Sequence, residues 1–149
     1  MITIRSMEID DIDAVCVIEK ELFSSLWGAN GFFSFLIQEG THYLVAEEDG
    51  CIRAYCGVMS VLDEADITNV AVAKACQRRG IGRQLMQAMC TRMEEQGVKK
   101  LYLEVRQSNL AAIGLYESLG FSRYGVRKAY YSDPCEDGIL MMKKMQVEI

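Results

Sequence analysis

Apolar residues recur along this chain with two periods, one of two residues as in strands and one near 3.6 residues as in helices. Residues 2–5 are predicted to form a first strand. A helix capped by Asp10 or Asp11 follows, on four apolar positions at helical spacing: Ile12, Val15, Ile18 and Leu22. The next stretch, residues 23–35, is aromatic-rich and irregular, and its second half is predicted to be a short helix that ends near Gly40.

The middle of the chain carries strand signals in close succession. Residues 43–47 and 52–61 are predicted strands joined by the hairpin sequence Glu48-Asp49-Gly50. An apolar run over residues 67–73 predicts a buried strand. A glycine-containing turn then leads into the longest predicted helix, which begins at Ile81.

The last third repeats the order of strand and helix. Residues 101–106 alternate between apolar and polar side chains, which predicts a strand with two distinct faces. Asn109 is suited to cap a helix that runs to Leu119, and two further strands follow. Strands and helices alternate centrally while hairpins occupy the two ends. This order predicts an α/β fold, with one domain over residues 1–149, a mixed twisted sheet and helices on both faces.

Composition narrows the class of protein. The 149 residues are half apolar, which suits one domain with a full core, and the net charge is −5. That charge argues against direct nucleic-acid binding and favours basic or amine-bearing partners. The sequence has no membrane-length apolar segment and no secretion signal, so we expect a cytoplasmic protein that does not bind membranes.

The cysteines and the histidine argue against a metal site. The six cysteines are scattered without a Cys-x-x-Cys pair, and the single histidine, His42, has no neighbour at ligand spacing. We therefore expect free thiols in a reducing compartment and no bound metal.

The most informative chemistry lies in the glycine turn, Gln77-Arg78-Arg79-Gly80-Ile81-Gly82-Arg83. It falls between a predicted strand and the first turn of a helix, where unpaired N–H groups and the helix dipole attract anions. Three arginines add positive charge. A dinucleotide-binding fingerprint is excluded because Leu85 stands where the third glycine would be, and no Gly-Lys-Ser/Thr follows for a phosphate loop. The turn is predicted to bind a pyrophosphate of another type, the alternative being an ordinary turn.

These segments resemble a known family. Val70-Ala71-Val72 with the glycine turn resembles the acetyl-CoA-binding motif of the GCN5-related N-acetyltransferases (GNAT), and residues 103–121 resemble the second half of that fold. Residues 61–65 and the Tyr130-Tyr131 pair are similar to the bacterial subgroup that acetylates the N-terminal alanine of a ribosomal protein. Leu26-Trp27 departs from the Pro-Trp that is usual in the subgroup, in a segment that shapes substrate access.

The resemblance implies an acyl-CoA N-acyltransferase fold with acetyl-CoA as co-substrate, held across a gap between two strands. The coenzyme-binding residues that it implies are Val70, Ala71, Val72, Arg78, Arg79, Gly80, Ile81, Gly82, Arg83 and Asn109.

Two residues are candidates for the proton transfers. Glu104 is the candidate base that neutralises the acceptor amine; the alternative is a strand glutamate paired with Arg106 or a lysine. Tyr116 matches the family's acid, which protonates the departing thiolate; the alternative is a structural tyrosine with a satisfied hydroxyl.

Two surfaces are candidates for acceptor binding. Residues 23–35 with Tyr130 and Tyr131 are expected to wall an acceptor groove, although each aromatic also suits the core. The acidic cluster Asp63, Glu64 and Asp66 is either solvated surface or a site that attracts a positively charged peptide.

The expected function is transfer of acetyl from acetyl-CoA to the N-terminal amine of a ribosomal protein, by direct attack on the thioester. An acetyltransferase for lysine side chains or a small amine is an alternative within enzymes. A non-catalytic acyl-CoA-binding regulatory domain is an alternative outside them, and the presence of both Glu104 and Tyr116 argues against it.

Overall fold

A seven-stranded sheet organises the part of the chain that the computed structural model describes, residues 1–132 and 134–145. Its order is β1-β2-β3-β4-β5-β7-β6. The strands are β1 (Ile2–Ser6), β2 (Thr41–Glu48), β3 (Cys51–Val61), β4 (Glu64–Val72), β5 (Lys100–Arg106), β6 (Ser122–Tyr131) and β7 (Glu136–Lys144). The helices are α1 (Ile12–Leu22), α2 (Gly28–Leu36), α3 (Ile81–Glu95) and α4 (Leu110–Ser118).

The helices cover both faces of the sheet. The α1 and α2 side chains form one core with β2 and β3, in which Phe32, Tyr43 and Tyr55 are buried. The α3 and α4 side chains form the other core, on the opposite face. The predicted α/β fold with a mixed sheet is confirmed.

The predicted domain extends to residue 149, and residues 146–149 lie outside the described part of the chain. None of the described helices is both long and apolar enough to span a membrane.

One predicted side-chain cap and one predicted helix end are wrong, for reasons that tertiary contacts supply, although α1 begins at Ile12 as predicted. Asp11 does not cap α1 with its side chain, because its carboxylate accepts hydrogen bonds from Arg5 and from the Glu8 backbone N–H. The second helix ends at Leu36 rather than near Gly40, because the Thr41 hydroxyl turns back to donate to the Phe35 carbonyl at 2.8 Å.

The strand before the glycine turn begins earlier than its apolar run. β4 starts at Glu64, because its polar first half pairs antiparallel with β3 and parallel with the start of β5. The parallel pairing covers only Glu64 to Asp66, opposite Lys100 to Tyr102. Beyond these residues the two strands separate, which opens the gap that the resemblance implies.

A bulge in β4 coincides with the start of this gap. Gly57 of β3 pairs with Asn69 while Val58 pairs with Ile67, so one residue of β4 is extra. The Tyr43 ring lies over Gly57, where a Cβ would come within 2.5 Å of it, and the Tyr43 hydroxyl bonds to Asn69 Oδ1 at 2.6 Å. The bulge is thus held from the core side, at the point where β4 leaves β5.

Candidate active site

The glycine turn (residues 77–83) leaves the N-terminus of α3 open. Gly80 is the N-cap residue in a left-handed conformation (φ 79°), and no side chain caps the helix. A Cβ at Gly80 would meet no atom within 4 Å. There is therefore room beside the turn, and the first-turn N–H groups have no side-chain cap, as a pyrophosphate site at a helix terminus requires.

Gly82 brings three elements of the site together. A Cβ built at this residue would lie 3.5 Å from Val72 Cγ2 and 3.7 Å from Leu115 Cδ2. Val72 ends β4 and Leu115 precedes Tyr116 on α4. The glycine turn, the edge of the gap and the candidate acid are therefore neighbours.

Arg78 and Arg79 of the turn are held in different ways. Arg79 donates to Glu48 from β2, with an Nη1 to Oε1 distance of 3.1 Å, and this hydrogen bond lowers the pKa of Glu48. Arg79 therefore has a structural partner besides the phosphate that the sequence predicts for it. Arg78 adopts a left-handed backbone conformation (φ 66°) next to Gly80.

The residues Val70, Ala71 and Val72 line the gap with backbone. All three pair with β3 on one side, opposite residues 54–56. The parallel pairing with β5 has already ended, so the other edge of β4 faces the gap. At the end of β4, the Val72 carbonyl accepts a hydrogen bond from the Gln77 side chain at 3.0 Å.

Asn109 performs the role that its sequence position predicts at the start of α4. Its side-chain oxygen accepts a hydrogen bond from the Ala112 N–H at 3.2 Å. The cap fixes the start of the helix that carries Tyr116.

Glu104 lies on the outer face of β5, away from the buried Leu103 and Val105. Its Oε1 pairs with Arg127 Nη2 at 3.0 Å, and its Oε2 is buried with no hydrogen-bond partner among the described residues. The side chain retains 24% of its exposure. The expected alternative partner, Arg106 or a lysine, is wrong, because the guanidinium that reaches Glu104 comes from β6.

Arg106 is engaged elsewhere. Its guanidinium stacks over the Tyr131 ring at 4.6 Å and donates to the carbonyl oxygens of Ser132 at 2.9 Å and Pro134 at 3.0 Å. These contacts anchor the end of β6, so Arg106 supports the site from the loop side.

Tyr116 is buried on α4, with 8% of its surface exposed and its ring edge-on to Phe121. Burial, followed by nearby Cys56 and Tyr131, raises the pKa of its phenol. The hydroxyl therefore carries its proton at neutral pH, which is the form an acid needs. Burial and then Glu104 raise the pKa of Tyr131 to about 12. Tyr131 thus lies within electrostatic reach of both candidate residues.

The acidic cluster divides between two locations. Asp63 lies at the turn before β4 and pairs with Lys99 at 3.8 Å. Glu64 and Asp66 lie beside Tyr102 on the sheet face that also carries Glu104, and the Tyr102 hydroxyl contacts Glu64 Oε1 at 3.3 Å. Burial and the charge of Glu64 raise the pKa of Asp66. We call these residues, Glu64, Asp66, Tyr102 and Glu104, the carboxylate face.

The aromatic segment serves mainly as core. Phe32 and Phe35 pack edge-on against tyrosines of the sheet and are buried, whereas Trp27, Phe33 and Phe23 stay partly exposed. Glu19, itself buried, accepts hydrogen bonds from the Trp27 and Gly28 N–H groups and so fixes the start of α2. Only the exposed aromatics remain available to wall a groove.

Three features of the site were missed by sequence reasoning: Arg127, Gly138 and the irregular end of β6. Their signal depends on the register of β6 against β7, which the local pattern does not contain.

Within residues 1–132 and 134–145 there is no group of three or more histidine, cysteine or acidic residues arranged to hold a metal ion.

The mixed sheet, its splayed parallel pair and the uncapped terminus of α3 agree with the acyl-CoA N-acyltransferase fold that the resemblance implies. Residues 12–121 match the sequence model of the acetyltransferase (GNAT) family. The chain belongs to this family, which confirms the resemblance and identifies an acetyl-CoA-dependent N-acetyltransferase.

Relatives narrow the comparison. The chain is 41% identical over 145 residues to the [ribosomal protein bS18]-alanine N-acetyltransferase of Escherichia coli (strain K12), covering 95% of this chain and 96% of that one. The crystal structure of the ribosomal-protein-S18-alanine N-acetyltransferase from Escherichia coli superposes with a TM-score of 0.92 at 38% identity, covering 100% of this chain and 97% of that chain. Ard1 from Thermoplasma volcanium superposes with a TM-score of 0.88 at 26% identity, covering 97% and 98%.

Proposed function

We propose that this protein transfers the acetyl group of acetyl-CoA to the N-terminal amine of a ribosomal protein, with alanine as the acceptor residue. The Escherichia coli relatives, which match over nearly the whole chain, carry this activity in their names. Membership of the GNAT family supports acetyl-CoA as the donor.

One observation carries the proposal. Tyr131 is within electrostatic reach of both the Glu104 carboxylate on β5 and the protonated Tyr116 phenol on α4, and α4 packs through Leu115 against Gly82 of the glycine turn. Acetyl transfer to an amine needs a proton acceptor near the nitrogen and a proton donor near the sulfur, and Glu104 and Tyr116 are suited to these roles.

The donor is expected to lie along the unpaired edge of β4. The first-turn N–H groups of α3, with Arg78 and Arg83, would hold the pyrophosphate. The backbone of Val70 to Val72 would pair with the amide-bearing arm as an added strand does, and an N–H of this run would polarise the thioester carbonyl.

Glu104 and Tyr116 account for the two proton transfers that the reaction requires. The neutral amine forms the new N–C bond to the carbonyl carbon and gives its surplus proton to Glu104, directly or through a water. The C–S bond breaks with its electron pair going to sulfur, and Tyr116 donates the proton that makes the thiol. An N-terminal amine with a pKa of about 8 is neutralised more readily than a lysine side chain at about 10.4.

The carboxylate face supports a cationic acceptor. Glu64 and Asp66 lie on the same surface as Glu104, so a peptide with a positively charged N-terminus would be attracted toward the base. This attraction is expected to weaken with added salt.

The test is acetyl transfer to a panel of acceptors, measured by mass spectrometry. The panel contains ribosomal-protein N-terminal peptides beginning with alanine, the same peptides with a blocked N-terminus and one internal lysine, and small polyamines. Transfer to the free N-termini alone supports the proposal. Preferential transfer to lysine or polyamines overturns the acceptor assignment, and calorimetric binding of acetyl-CoA without any transfer indicates a binding domain.

A further inference from the structure

We propose that Arg127 is a positioning residue for the base: it holds Oε1 of Glu104 and thereby sets the orientation in which the carboxylate meets the acceptor. This inference rests on the proposed function of Glu104. It concerns a side chain 23 residues away in the chain, on a different strand, which contributes no group to the reaction itself.

Contacts restrain both carboxylate oxygens of Glu104. Oε1 pairs with Arg127 Nη2 at 3.0 Å. Oε2 is buried above Gly138, where a Cβ would lie 3.4 Å from this oxygen and 3.3 Å from the Tyr131 ring. A side chain at 138 would therefore be in van der Waals contact with Oε2 and tight against the Tyr131 ring. The carboxylate is held on one side by charge and on the other by close packing.

Arg127 is itself restrained by a pair of tyrosine rings. Its guanidinium stacks over the Tyr130 ring at 4.8 Å, and that ring lies edge-on to Tyr131 with 5.0 Å between centroids. Stacking restrains a guanidinium that is otherwise 54% exposed. Arg127 therefore has a defined orientation rather than the freedom of a surface arginine.

The backbone of β6 is irregular between Arg127 and Tyr131. Gly138 of β7 pairs with Arg127 and Glu136 pairs with Tyr131, so β6 contains two more residues than β7 in this interval. The excess is taken up at Ala129, which has φ 50°, and its N–H donates to Asp137 Oδ1 at 2.9 Å. A bulge of this kind re-aims the side chains on either side of it. Before the bulge, the pairing of Arg127 with Gly138 places Arg127 on the sheet face that carries Glu104.

The neighbouring titratable groups leave Arg127 as the charged partner of Glu104 within the described residues. Tyr124 of β6 and Tyr131 also face Glu104, and burial raises the pKa of both phenols, so they are neutral at neutral pH. A restrained base is a recurring requirement of catalytic sites, because a misplaced proton acceptor loses rate even when it remains present.

The test is a double-mutant cycle on turnover with the acceptor peptide that the wild type uses best. Arg127→Gln is expected to lower kcat about tenfold while the KM for acetyl-CoA stays unchanged, a modest factor because the pair is partly exposed. In the Glu104→Gln background the same change is expected to lower kcat less than twofold, because its only route is through Glu104. Arg127→Lys keeps the charge and is expected to recover part of the rate.

Arg123→Gln is the matched control. Arg123 lies four residues earlier on β6 and pairs with the exposed Glu117 at 3.7 Å, so its loss removes the same charge without touching Glu104. An unchanged kcat in Arg127→Gln, or equal losses with and without Glu104, would overturn the inference.

A second measurement does not depend on turnover. The ¹³C NMR signal of the Glu104 carboxylate is expected to shift in Arg127→Gln and to stay in place in Arg123→Gln; no shift in either variant would overturn the inference. If the shift occurs but no acceptor is acetylated by the wild type, the proposed function fails while the contact stands.

Discussion

The glycine turn and the carboxylate face are two halves of one site, built in different ways. The glycine turn is made of backbone: an uncapped helix terminus, a left-handed Gly80 and the unpaired edge of β4. The carboxylate face and its surroundings are made of side chains from β4, β5 and β6. One half depends on local conformation, the other on long-range register.

This difference determines how each half responds to change. A backbone site loses function when a single residue cannot adopt the required conformation, whatever its side chain. A side-chain site loses function when a supporting contact is removed, although the backbone remains in place. Substitutions in each half are expected to separate these two behaviours.

Glu104→Gln is expected to lower kcat by about 10² to 10⁴, the typical contribution of a general base, with acetyl-CoA affinity unchanged. The amide cannot accept the amine proton but fills the same space beside Gly138. Steady-state kinetics with calorimetry of acetyl-CoA binding measures both quantities. Glu95→Gln makes the same chemical change at the exposed end of α3 and should leave both as in the wild type. Wild-type turnover in Glu104→Gln would reject the base assignment.

Tyr116→Phe is expected to slow turnover about thirtyfold while sparing acetyl-CoA affinity. The effect should be smaller than that at Glu104, because a thiolate whose conjugate acid has a pKa of about 8.5 is a fair leaving group even without a proton. Single-turnover rates measure it directly. A rate equal to that of the wild type would mean that another donor, or none, serves the sulfur.

The two halves also differ in what the sequence could predict. The glycine turn is local: the apolar run before it, Gly80 and the onset of helical spacing at Ile81 lie within 15 residues, and the structure places them as expected. The partner of Glu104 is not local. The sequence alternative was Arg106 or a lysine, whereas the register of β6 on β7 brings Arg127 to Glu104. The same limit explains Asp11, which the local sequence predicts as a helix cap but whose carboxylate pairs with Arg5 instead.

Gly80→Ala tests the backbone half. Because Gly80 has φ 79° and no atom within 4 Å of a built Cβ, the substitution should cost about 1 kcal/mol of folding stability through conformation alone. Where the new methyl group lies against a bound pyrophosphate, acetyl-CoA affinity should also fall about tenfold, or 1.4 kcal/mol. Thermal unfolding and calorimetry measure the two effects.

Gly50→Ala is a close control for that experiment. Gly50 also has φ 79° and open space around it, but lies in the β2–β3 hairpin. It should lose the same stability and keep full acetyl-CoA affinity. Equal affinities in the two variants would show that Gly80 matters only for folding, and the pyrophosphate site would have to be placed elsewhere.

Asp137→Ala tests the side-chain half at its outermost contact and should have the smallest effect. The Ala129 N–H, and then Lys128, lower the pKa of the Asp137 carboxylate. Its hydrogen bond is therefore complete above the ordinary carboxyl pKa near 4 and is lost only as the pH falls through the lowered value. Between pH 6 and 9 the contact is constant, so any change seen there comes from the substitution rather than from titration.

Without Asp137, the bulge at Ala129 loses its anchor and Arg127 its fixed direction, but the Arg127–Glu104 pair can still form part of the time. We expect a two- to threefold fall in kcat, no change in acetyl-CoA affinity, and faster amide exchange at Ala129. Asp137→Asn retains an acceptor oxygen and should behave more like the wild type. If Asp137→Ala weakened acetyl-CoA binding instead, the two halves would be coupled through β7, and the separation between a backbone half and a side-chain half would fail.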